Sequence, residues 1–196
     1  LFKLWELKVG KKIILFPGRV TSWKGQEMFL EAINKVNIQL GHEAFIAVIL
    51  GSDQGRDLYK KKLVRLVEQY RLTTQVKFIE HCKNMPVAYK ISNFVVSASI
   101  EPEAFGRVAV EAQSMQKPIL ASNIGGSKET IINNKTGILF EAGNSEDMAK
   151  KIIELFNLDE TTLNQMGVEG RKNVINKFNV DKMCFSTYSE YKKLIS

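Results

Sequence analysis

Short apolar runs alternate with longer amphipathic stretches along this chain. "KIILFPG" (12–18) is apolar and β-branched and stops at Pro-Gly, as a strand entering a turn does. "GQEMFLEAINKVNIQL" (25–40) sets Phe29, Ala32, Ile33, Val36 and Leu40 at helical spacing. "AFIAVILG" (44–51) is continuously apolar and ends at glycine, the mark of a strand buried on both faces. "DLYKKKLVRLVEQYRL" (57–72) is amphipathic, with Leu58, Leu63, Leu66, Val67 and Tyr70 as its apolar positions. The pattern predicts further strands at 75–80, 93–99, 117–122 and 136–140, and further helices at 85–92, 106–116, 127–134, about 145–157, 159–176 and 180–194.

Strand and helix in such regular alternation predict an α/β domain, a parallel sheet with helices on both faces. No linker rich in Pro, Gly or Ser, no low-complexity tract and no internal repeat divides the 196 residues, so a single domain is expected. In open α/β sheets ligands sit beyond the carboxyl ends of the strands. That rule directs attention to the loops starting at Pro17, Gly51, Glu80, Ser99, Ser122 and Glu141.

Composition adds little to the fold but narrows the partners. Hydrophobic residues make up 44% and charged residues 25%, ordinary globular values, and the net charge is +7. A basic balance attracts phosphate-bearing ligands, nucleic acid or anionic membrane without choosing among them. With only His42 and His81, a multi-histidine metal site is excluded. Cys82 and Cys184, far apart, suit a reducing compartment better than a disulfide framework. No apolar run approaches the roughly 20 residues a membrane-spanning helix needs. The chain opens at "LFKLWELKVG" without Met, as a piece of a longer protein would.

Three loops carry candidate chemistry. In "PGRVTSWKG" Arg19 and Lys24 follow the first strand, between Gly18 and Gly25. Arg offers a planar fork of donors and Lys a compact charge, so together they could neutralise a diphosphate; taken alone they read more readily as two solvated cations beside a turn. In "EPEAFGRVAVEA" (101–112) Glu103 precedes a helix and Glu111 lies inside it. A helix N-terminus offers unpaired N–H groups and partial positive charge, and Gly106 lets a ligand approach the backbone there. A carboxylate accepting two hydrogen bonds matches a vicinal diol. The plainer alternative has Glu103 as a cap and Glu111 as an exposed helical charge, but Glu111 stands among Val108, Ala109, Val110 and Ala112, where a carboxylate needs a partner. In "SNIGGSKET" Gly125-Gly126 precede a short helix and read as a turn more readily than as a phosphate loop. The G-x-G-x-x-G fingerprint is missing after the first strand, against an ordinary dinucleotide dehydrogenase.

With those segments in order, together with "AVILGSDQG", "VKFIEH" and "TGILFEAGNSEDMAKKI", nearly the whole chain resembles the C-terminal, donor-binding domain of a retaining GT-B glycosyltransferase of family 4, the glycosyl transferases group 1. The resemblance implies one half of a GT-B fold and transfer of a sugar from a UDP- or GDP-linked donor to an acceptor glycan or lipid-linked glycan, with no metal or cofactor. It implies Arg19, Lys24 and Glu103 as the catalytic group: the two cations on the departing diphosphate, the acid near the donor sugar. It implies Gly18, Phe105, Gly106 and Arg107 as further donor contacts and Glu111 on the ribose hydroxyls. Phe78, Ile79 and Glu80 match the base-binding loop, with Glu80 standing where the family commonly has glycine.

The same resemblance implies an N-terminal acceptor domain outside this chain. This fragment alone would then bind nucleotide sugar weakly and transfer nothing. The last helix would turn Met183, Phe185, Tyr188 and Tyr191 towards that domain, or else lay them on this domain's own sheet. The cytoplasm is the expected place, at the inner face of the membrane for lipid-linked sugars such as those of lipopolysaccharide biosynthesis. Two alternatives stand beside it. A non-catalytic basic module would bind RNA or anionic membrane, although "YKKKLVR" (59–65) lacks the interleaved aromatics of single-strand binding and no nucleic-acid partner is expected. A GT-B sugar-phosphate synthase fragment would share every motif; an epimerase would not be expected to carry the Glu103–Glu111 pattern.

Overall fold

The computed structural model describes residues 3–195. Six parallel strands form one sheet in the order β3-β2-β1-β4-β5-β6. They are β1 (Lys12–Pro17), β2 (Phe45–Leu50), β3 (Val76–Ile79), β4 (Phe94–Ser97), β5 (Ile119–Ser122) and β6 (Ile138–Phe140). Eight helices connect and cover them: α1 (Gln26–Leu40), α2 (Asp57–Gln69), α3 (Met85–Ile91), α4 (Arg107–Ser114), α5 (Ser127–Thr130), α6 (Ser145–Asn157), α7 (Glu160–Lys177) and α8 (Val180–Ile195). The expected Rossmann-like α/β fold is therefore the one observed, with most element bounds within two or three residues of the sequence reading.

The strands alternate between two cores. Ile14 and Phe16 of β1, with Phe45, Ala47 and Ile49 of β2, face α1, α2 and α6. Ile13 and Leu15, with Ile46, Val48 and Leu50, face α3 and α4. All six β2 residues are buried, as an apolar run without alternation requires. Each large side chain so buried contributes about 1.5–3 kcal/mol relative to exposure.

Strand order decides where a ligand can sit. The chain runs outward from β1 through β2 to β3, then returns to pair β4 on the other side of β1. Loops leaving β1 and β4 therefore diverge to opposite faces of the sheet and open a crevice at its carboxyl edge. The β1 loop contains a short 3-10 turn (Ser22–Lys24), which the sequence pattern did not reveal. The expected helix at 127–134 stops after one turn at Thr130, because the Thr136 hydroxyl accepts the Ile132 N–H and draws the chain towards β6.

α8 is the exception to this economy of burial. None of its residues is buried, and Met183, Phe185, Tyr188 and Tyr191 are all more than 60% exposed. They do not cover this domain's own sheet. Among the described residues no helix is long and apolar enough to cross a membrane.

Candidate functional site

The β1 and β4 loops meet across the crevice. Arg19, Lys24, Glu103, Phe105, Gly106 and Glu111 line one cleft of about 430 Å³, which Gly18 and Arg107 also border. The volume lies in the range of small-molecule sites. The charged side chains of the lining are Arg19, Lys24 and Arg107 against Glu103 and Glu111, three positive and two negative, a net charge of +1.

The two loops are joined directly. The Lys24 ammonium lies 2.7 Å from Glu103 Oε1, and both side chains are largely shielded from solvent. The Ser99 hydroxyl donates to the same Glu103 oxygen. Glu103 is thus neither a helix cap nor a solvated charge; it is held from two sides. Arg19 is exposed and, among the described residues, has no ion-pair partner. Its backbone carbonyl accepts from the buried Gln26 side chain at 2.8 Å.

The loop bearing Glu103 rests on the glycine pair. Gly126 donates its N–H to the Glu103 carbonyl at 2.8 Å. A Cβ on Gly125 would lie 2.6 Å from that carbonyl oxygen, and one on Gly126 would lie 2.6 Å from the Phe105 carbonyl. The "GG" step is a seat for the acidic loop.

α4 begins at the cleft. Gly106 adopts the left-handed conformation (φ 76°) and no side chain caps the helix. Its first-turn amides therefore bring partial positive charge to the cleft wall formed by Ala104 to Val108. One turn on, Glu111 has the partner its apolar surroundings demand: the Tyr89 hydroxyl donates to Oε2 at 2.7 Å. Burial, and then this bond to the carboxylate, push the Tyr89 phenol well above the ordinary tyrosine value.

The β3 loop stands apart. Phe78 packs against the α1/α2/α6 core and Ile79 against the α3/α4 core. Glu80 is exposed and paired with Lys60 of α2. None of the three lines the cleft; Leu50 and Met85 close that end instead. Sequence reasoning missed Tyr89, Ser99, Trp23, Leu50 and Met85. For Tyr89 a signal existed, since a buried phenol and a carboxylate in apolar surroundings each require a partner.

A parallel α/β sheet with a cleft at its switch point, bordered by a helix N-terminus and by charged side chains of both signs, places the chain in the Rossmann-like class of domains. The family comparisons are specific. The sequence model of the family described as "Glycosyl transferases group 1" matches residues 2–173, and the chain belongs to that family. The capsular polysaccharide biosynthesis glycosyltransferase CapM of Staphylococcus aureus is 28% identical over 166 residues, 85% of this chain and 42% of that protein. A glycosyltransferase from Rickettsia africae superposes with a TM-score of 0.92 at 33% identity, covering all of this chain and 51% of that one. The C-terminal domain of the glycosyl transferase group 1 protein LpcC from Francisella tularensis gives 0.79 at 29% identity, covering 91% of this chain and 92% of that one. The chain spans less than half the length of CapM and about half that of the Rickettsia enzyme.

Proposed function

We propose that this chain is the donor-binding, C-terminal half of a retaining GT-B glycosyltransferase of family 4, which moves a sugar from a UDP- or GDP-linked donor to a glycan or lipid-linked glycan of the cell envelope. The supporting observation is the convergence of Arg19 and Lys24 with Glu103 and Glu111 in one cleft at the β1/β4 switch point. Departure of a nucleoside diphosphate builds negative charge, which preorganised cations and helix-end amides stabilise in place. Arg19, Lys24 and the α4 amides take that charge. Glu111, steadied by Tyr89, accepts the ribose hydroxyls.

Lys24 is already shared with Glu103, so the arriving diphosphate competes for it and leaves Glu103 to the donor sugar. The base extends towards Leu50 and Met85, with the β3 loop beyond. An N-terminal domain supplies the acceptor, and the apolar face of α8 lies against it. The cytoplasmic face of the membrane suits a lipid-linked acceptor; Lys61 and Arg65 of α2, exposed and without ion-pair partners among the described residues, are the cations to meet anionic headgroups.

Calorimetric titration with UDP, GDP, ADP and their glucose and mannose conjugates tests the reading. One base series binds, its nucleoside binds far more weakly, and the chain alone turns over no donor onto an acceptor. Failure of every diphosphate to bind at millimolar concentration contradicts donor binding. Robust transfer by this chain alone contradicts the half-enzyme.

A further inference from the structure

The β1 loop carries a third side chain that reaches the cleft. Trp23 is half-buried and lines it. The Arg19 guanidinium carbon lies 5.6 Å from the Trp23 ring and the Lys24 ammonium 4.4 Å from it. Both distances fall within the ~6 Å reach over which an aromatic face attracts a cation.

The ring stands on fixed backbone. The Trp23 carbonyl accepts the Ile100 N–H at 2.8 Å, which ties the turn to the segment after β4. Gly25, two residues on, is left-handed (φ 79°), and a Cβ there would meet the Ala98 carbonyl oxygen at 2.0 Å. No other residue type lets the turn close so near β4.

We propose that Trp23 is a positioning residue for the donor diphosphate: its ring holds Arg19 and Lys24 as a pair beside the cleft without neutralising either. A carboxylate would also orient two cations, but it would subtract the charge the ligand needs. A π face attracts through its quadrupole and leaves the formal charge intact. The distinction matters most at Arg19, whose exposed side chain otherwise loses its rotamer freedom only when ligand arrives. At Lys24 the ring is a second hold that persists when Glu103 turns to the sugar. The inference rests on reading Arg19 and Lys24 as the diphosphate site and adds to it the residue that sets their geometry.

The test titrates UDP, GDP and ADP, each beside its nucleoside, into the unchanged chain and into Trp23→Leu and Trp23→Phe. Two partly exposed cation–π contacts correspond to about a tenfold loss of diphosphate affinity in Trp23→Leu. Trp23→Phe, which keeps a π face, stays within about threefold of the unchanged chain, since phenyl is the weaker quadrupole. Nucleoside affinity is the same in all three. Trp23→Met carries the same expectation as Trp23→Leu should the latter melt early. Equal diphosphate affinity in the aliphatic variants, a Phe variant as weak as they are, or a parallel loss for the nucleoside each overturns the inference while donor binding stands. Absence of diphosphate binding by the unchanged chain removes the functional reading, and the inference with it.

Discussion

The partnership of Tyr89 with Glu111 shows what single residues contribute here. The phenol is buried and its hydroxyl occupies one oxygen of the carboxylate, so the side chain is oriented before any ligand arrives. Tyr89→Phe keeps the packing and loses one hydrogen bond to a charged group. Nucleotide affinity should fall by about 1 kcal/mol, several-fold in a calorimetric titration, with the fold retained by circular dichroism. The same residue gives a pH signature. The unfolded chain releases the phenol proton near the ordinary tyrosine value of 10.0, whereas the folded chain holds it to higher pH. Stability present below that value is therefore lost progressively as pH rises above it. Denaturant titrations of Tyr89→Phe above pH 10 should show a shallower alkaline decline; Tyr59, also raised by burial, leaves part of the slope in place. At this scale the sequence was legible for the charged residues, and of their neighbours it showed that a partner was needed without showing which residue supplies it. Glu103 and Glu111 stood out by spacing, while Tyr89 lies on another helix, and only the packing of α3 beside α4 brings its hydroxyl to Glu111.

At the scale of elements, each of the six strands fell within a segment that the sequence pattern predicted, most of them as buried apolar runs; β3, with Lys77 and a single buried residue, is the exception. The ends were less legible. A helix at 127–134 looked continuous, yet the Thr136 side chain competes for the backbone after α5. The 3-10 turn at Ser22–Lys24 is too short to leave a period. The glycine pair was ambiguous for a different reason: its role is tertiary, a close seat for the Glu103 loop. Gly125 has φ +56°, and any Cβ there would press on the Glu103 backbone. Gly125→Ala should cost about 2–4 kcal/mol, combining left-handed strain with overpacking, read as an earlier midpoint in urea. Because the displaced segment carries Glu103, donor affinity should fall in the same variant.

The whole molecule is a scaffold that brings two distant loops to one edge of a sheet. Eighty-four positions separate Arg19 from Glu103, and only the order β3-β2-β1-β4-β5-β6 makes them neighbours. That convergence was readable in advance through the alternation of strand and helix and the resemblance of the motifs. The β3 loop is less simply placed: the side chains of Phe78 and Ile79 are taken by packing and that of Glu80 by Lys60, and none of the three lines the cleft. The exposed face of α8 marks where the domain's own core ends. The most direct measurement compares calorimetric affinities for the tightest-binding nucleotide sugar in the unchanged chain, Arg19→Ala and Glu111→Ala. Arg19 is chosen over Lys24 because its removal orphans no carboxylate. Each substitution should cost about 1.5–3 kcal/mol, the worth of hydrogen bonds to a charged group, with little change in melting temperature. Unchanged affinity in either variant would mean that the two loops do not share one ligand, and would contradict the account.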